Sequence, residues 1–152
     1  MAQALPESVK MVRAQLSLDT SMGGVKFPIH LGDDEVAVLL SLYWYWSMAA
    51  TAGYNIVQLG LWRKTDTDPA AMESEHTDMI WEGVSALSYV TESLQLSGSE
   101  HIILPWPLIL VRAPRLVGLR IGAIAAVYMR LYYLIQKVSD EELAKLMVKD
   151  HA

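Results

Sequence analysis

A chain of 152 residues with 53% hydrophobic side chains, 9 Gly, 6 Pro and no Cys is long enough for one self-sufficient domain and too apolar to be disordered. The missing cysteines exclude a disulfide scaffold, a thiolate-ligated metal centre and a cysteine nucleophile. The net charge of −5 is unevenly laid out: residues 65–100 carry eight acids and no Lys or Arg, whereas residues 101–138 carry five bases and no acid.

Residues 1–24 read as an N-terminal arm. Pro6 and Glu7 suit the start of a short helix, with Val9, Val12 and Leu16 on one face and Lys10 and Arg13 on the other, and Gly23-Gly24 reads as a hinge. The period then changes from helical to alternating. Residues 25–31 suit an edge strand carrying Pro28, closed by a turn at Gly32-Asp33-Asp34. In the next strand Leu42, Trp44, Trp46 and Met48 share one parity, while Ser41, Tyr43, Tyr45 and Ser47 share the other. That predicts one core face and one amphipathic face. Gly53-Tyr54-Asn55 reads as a turn, residues 56–63 as a further strand, and residues 64–71 as a polar loop.

The middle fits two periods. Ile80, Val84, Leu87 and Leu94 match a helix, but Tyr89-Val90-Thr91 and the frequent Ser favour a strand, which is preferred here. Ser97-Gly98-Ser99 predicts a turn into a strand at residues 101–104. Further strand pieces follow at 108–111, 116–121 and 124–137. Ser139-Asp140-Glu141-Glu142 is a capping box with Val138 and Leu143 as its staple, and it predicts a helix over 139–150 that buries Leu143, Leu146 and Met147.

Six to eight short strands followed by one helix predict a mainly β fold, an antiparallel β-sandwich of Greek-key or jelly-roll type. Residues 25–152 form its single domain, and residues 1–24 the arm. A membrane is not the expected partner. Residues 36–62 are uncharged and long enough to span one, but Tyr43-Trp44-Tyr45-Trp46 sits at the centre, where aromatics are out of place. Residues 102–135 are broken by three prolines and four arginines. The first 18 residues lack the apolar core of a signal peptide.

No catalytic residues, metal ligands or cofactor are assigned. The chain has no Gly-x-Ser-x-Gly elbow, no Gly-x-Gly-x-x-Gly, no phosphate loop and no His-Glu-x-x-His. The acids and histidine of residues 73–78, and His30 with Asp33, Asp34 and Glu35, read as acidic loops rather than ligand sets, since their spacing fits no ion-binding loop. Two sets remain as contact residues. Arg112, Arg115, Arg120 and Arg130 lie in strands apolar on both parities, so they are expected to contact neighbouring subunits or nucleic acid. Tyr43 and Tyr45 are expected to form an aromatic contact surface.

The short strands, the N-terminal arm with Lys10 and Arg13, the apolar excess and the segregated charge together resemble small single jelly-roll viral coat proteins over residues 25–138. The resemblance is one of organisation, without a diagnostic motif, so no functional residue is carried over. It implies a non-enzymatic subunit whose partner is itself, in a virion or other extracellular particle that could enclose nucleic acid. The arm lacks the basic run that many coat proteins use on their genome, so genome contact by the arm is not implied. Two other readings stand beside this one: a membrane-associated helical subunit using residues 36–62 and part of 116–135, and a β-sandwich binding module for a glycan or another protein.

Overall fold

The computed structural model describes residues 9–64, 67–69 and 79–151 of the chain. Within them, strands β1 (Val9–Leu18), β2 (Met22–Lys26), β3 (Glu35–Ala50), β4 (Gly53–Trp62), β5 (Met79–Val90), β6 (Leu94–Leu110), β7 (Arg115–Ile121) and β8 (Ala125–Lys137) are followed by helix α1 (Asp140–His151). The strands form two four-stranded antiparallel sheets, in the orders β1-β8-β3-β6 and β2-β7-β4-β5. The pairing is nested: β1 meets β8, β2 meets β7, β3 meets β6 and β4 meets β5. The chain thus doubles back as one long hairpin, and rolling that hairpin up adds the β3–β8 and β4–β7 contacts. This is a jelly-roll sandwich.

Period-two patterning decides which side chains fill it. Val12, Ala14 and Leu18 of β1, Leu42, Trp44, Trp46 and Met48 of β3, Val57, Leu59 and Leu61 of β4, and Val127, Met129 and Leu131 of β8 all point between the sheets and are buried. Each Val, Leu or Met buried here contributes roughly 1.5–3 kcal/mol. β7 is buried on both faces, Leu116 in the main core and Val117 in a second cluster with Trp62 and Met79. A strand apolar on both parities therefore finds part of its second cover inside this chain, not on a neighbour.

Several expectations are corrected. Residues 9–18 are not a helix in a detached arm but an edge strand paired with β8 from Val9↔Leu134 to Leu18↔Ala125. The helical match of Val9, Val12 and Leu16 competes with the alternation of Val12, Ala14, Leu16 and Leu18, and the sheet edge offered by β8 selects the alternation. Gly23 and Gly24 lie inside β2, and only residues 1–8 of the expected arm fall outside the described residues. The membrane-helix alternative does not survive either, because residues 36–62 and 116–135 fold as β3, β4, β7 and β8. No described helix is long and apolar enough to cross a membrane.

No turn forms at residues 97–99. β6 runs straight through them, and the chain reverses at 91–93 instead. Gly98 faces Trp46 across the β3–β6 ladder, and a Cβ there would collide with the indole nitrogen. The glycine serves close packing, not chain reversal. Farther along, β6 pairs Ile103 with Ser41 and Leu108 with Leu39, so Leu104-Pro105-Trp106-Pro107 bulges against the single residue Leu40. Two prolines that cannot donate to a ladder account for the bulge.

The Ser139 half of the capping box forms as the sequence predicts, its hydroxyl accepting from the Glu142 amide at 3.2 Å. The buried stripe is narrower than expected: Leu143 and Leu146 are half-buried, but Met147 is 42% exposed. Glu35 uses its carboxylate to accept from the Gly32 amide at 2.7 Å, closing the acidic turn after His30. The acidic cluster at 73–78 lies outside the described residues.

Candidate functional site

The four candidate arginines do not come together. Arg120, near the end of β7, turns its guanidinium onto three backbone carbonyls: Leu18 at 3.0 Å, Asp19 at 2.6 Å and Gly122 at 2.8 Å. It clamps the β1–β2 turn to the β7–β8 turn. Arg115, at the other end of β7, pairs with Asp68 at 2.8 Å, with Gly24 leaving room for that carboxylate on the neighbouring strand. One acid of the 65–100 run and one base of the 101–138 run therefore neutralise each other within the subunit. Arg112 sits half-buried in the bend after β6 and already interacts within the chain. Only Arg130 stands in the middle of a sheet's outer face.

Arg120→Ala is expected to cost about 1–2 kcal/mol, because three carbonyls lose a charged donor at a solvent-accessible site. Chemical denaturation would measure the loss, and Arg120→Lys should recover little of it. An ammonium cannot match three divergent carbonyls.

On the outer face of the β1-β8-β3-β6 sheet, the ladder sets side chains in rows. One row reads Arg13, Arg130, Tyr43, His101; the next reads Gln15, Tyr128, Tyr45, Ser99; the row on the other side reads Met11, Tyr132, Ser41, Ile103. Tyr43 and Tyr45, expected as a contact surface, thus share this face with Arg130. The Arg130 guanidinium lies 5.4 Å from the centroids of both the Tyr43 and Tyr128 rings, and its Nε donates to the Tyr128 hydroxyl at 2.7 Å. That hydrogen bond, with a second that Arg130 donates to Tyr132, raises the arginine's pKa further. His101 Nε2 lies 3.2 Å from Ser41 Oγ, and its ring lies against Tyr132. Between Tyr45 and Tyr128, beside Gln15, the face is dimpled by a depression of about 250 Å³.

A second feature escaped sequence reasoning. Where β1, β3, β5 and β7 end and their partners begin, Tyr54, Tyr89, Leu94, Ile121 and Ile124 are all more than half exposed. Tyr54 and Tyr89 stack edge to face at 5.0 Å. Three of the turns at this end, β1–β2, β3–β4 and β7–β8, are fixed by Arg120 and by Asn55, a fully buried amide that donates to Thr51 and Gly53 carbonyls and accepts from the Ala123 amide. These residues are scattered over half the chain, and only the nested pairing gathers them. On the β6 edge, the proline-flanked bulge holds out Trp106, 81% exposed, between Ile103 and Ile109.

Among the described residues, no three of His, Asp and Glu stand together as a metal ligand set. The burial of Tyr133 raises the pKa of its hydroxyl, but it belongs to the core and faces no cleft chemistry. The sequence matches no protein-family model and no curated protein.

Proposed function

We propose that this chain is a non-enzymatic building block that associates with copies of itself into a shell-like particle, as single jelly-roll coat proteins do. The observation that carries this reading is the apolar end of the sandwich. Five large apolar side chains stand more than half exposed there, beside turns of which Asn55 and Arg120 hold three. A lone soluble domain gains nothing from presenting them rigidly. An interface does, because little side-chain or loop entropy is left to lose on docking. The Trp106 edge is a second apolar patch on a different side of the sandwich. Two unlike patches let each copy touch more than one neighbour, which a shell requires and a simple two-fold dimer does not.

On this reading the protein works in a virion or other extracellular particle, and no cofactor enters its function. Size-exclusion chromatography with light scattering tests it. The expected result is a mass many times the 16.9 kDa of one chain, with uniform particles in electron micrographs. Ile124→Asp, at a side chain 59% exposed, should leave the circular dichroism unchanged and weaken association by roughly tenfold or more. A wild-type chain that stays monomeric at high concentration and low salt would overturn the proposal.

A further inference from the structure

We infer that the outer face of the β1-β8-β3-β6 sheet is a platform for single-stranded nucleic acid. It is distinct from the apolar end, none of whose five residues lies in its rows, and it borders the Trp106 edge at Ile103.

The first ground is charge. The chain has 17 acids against 12 Lys and Arg, yet the outward positions of these four strands around the three central rows hold no Asp or Glu. Arg13 and Arg130 are placed directly opposite each other on neighbouring strands. Like charges so placed weaken a sheet. Arg13 makes no hydrogen bond or ion pair with another described residue. A bound anion spanning both arginines would offset their repulsion.

The second ground is the rings. Tyr43, Tyr45, Tyr128 and Tyr132 are four of the seven tyrosines in the chain, and His101 joins them. An acidic protein surface would use the arginines but would have no need of a floor of phenols. A duplex hides the faces of its bases. A single strand offers both features at once, phosphates for Arg13 and Arg130 and an unstacked base for Tyr45, the one exposed ring of the four. Successive rows lie about 7 Å apart along the strands, a step on the scale of successive nucleotides in an extended chain. The depression beside Tyr45 and Tyr128 admits a base, and the Gln15 amide at its rim can meet a base edge with both a donor and an acceptor.

Fluorescence anisotropy with a labelled thymidine oligonucleotide of roughly 20 nucleotides tests this on the full chain. Binding is expected at low salt, falling with salt along a log–log slope of about −1.4, the value for two phosphates neutralised on a single strand. Arg13→Gln, at an exposed side chain, should bring the slope to about half that. Tyr45→Ala should weaken binding by about tenfold at an unchanged slope. Light scattering on the same samples separates the two proposals, because these variants should keep the mass of the parent. No binding at low salt overturns the platform. So does equal affinity for dextran sulfate with no loss on Tyr45→Ala, which would mark a generic polyanion surface. Binding of a neutral oligosaccharide in place of the oligonucleotide would instead make the face a glycan site.

Discussion

Replacing Asn55 by leucine is expected to lower the unfolding free energy by about 3 kcal/mol, read from urea denaturation at low protein concentration. The side chain is 1% exposed and fully used. Its Nδ2 donates to the Thr51 carbonyl at 2.8 Å and the Gly53 carbonyl at 3.1 Å, and its Oδ1 accepts from the amides of Thr51 and Ala123 at 3.4 Å. Leucine keeps the volume and removes every one of these partners. Carbonyls and amides already placed for a side chain are then left unmet, and each such buried group costs about 1–3 kcal/mol. Thr51 and Gly53 are near enough to solvent to recover part of the loss, which keeps the expected value below the full sum. A change under about 1 kcal/mol would mean that water replaces the amide and that Asn55 does not hold these turns.

The companion substitution, Gly122→Val, is expected to cost about 3–4 kcal/mol for two separable reasons. Gly122 has φ +92°, which side-chain-bearing residues rarely adopt, and a Cβ there would lie 2.7 Å from Asn55 Oδ1 and 2.8 Å from the Tyr54 carbonyl. Gly53 supplies the control. Its φ is +112°, yet a Cβ would meet nothing within 4 Å. Gly53→Val should therefore show the backbone penalty alone, about 1–2 kcal/mol. The difference between the two denaturation midpoints measures the crowding around Asn55. Equal losses would remove that contact from the explanation.

Much of the fold was legible because burial leaves a local trace. The parity of Leu42, Trp44, Trp46 and Met48 gave β3 its core face, and Ser139 with Glu142 gave α1 its start. Misreadings fell where one residue type serves two purposes. Gly98 looked like a turn and is a floor for Trp46; Val9, Val12 and Leu16 looked like a helix face and lie in an edge strand. The candidate site was legible only in part. Tyr43 and Tyr45 lie far from Arg130 in sequence, and the ladder puts them on one face. Arg120 looks no different from Arg130 in sequence, because what separates them is whether carbonyls from two distant turns converge on the guanidinium. The apolar end left no local signal at all. Tyr54, Leu94 and Ile124 come to the same end of the sandwich only when the hairpin has rolled up.

The nested pairing also sets a timetable for synthesis. β8 is the last of the eight described strands, yet it lies inside its sheet, between β1 and β3. Until it emerges, β1 has no ladder partner and one side of β3 remains open, so β1 must wait while β2 to β7 are made. A fold dominated by such distant closures forms slowly. Its half-made sheet presents bare edges to other nascent chains, so premature contact between copies competes with completion of each one. On the proposed reading, each copy must therefore finish the centre of a sheet before it joins another.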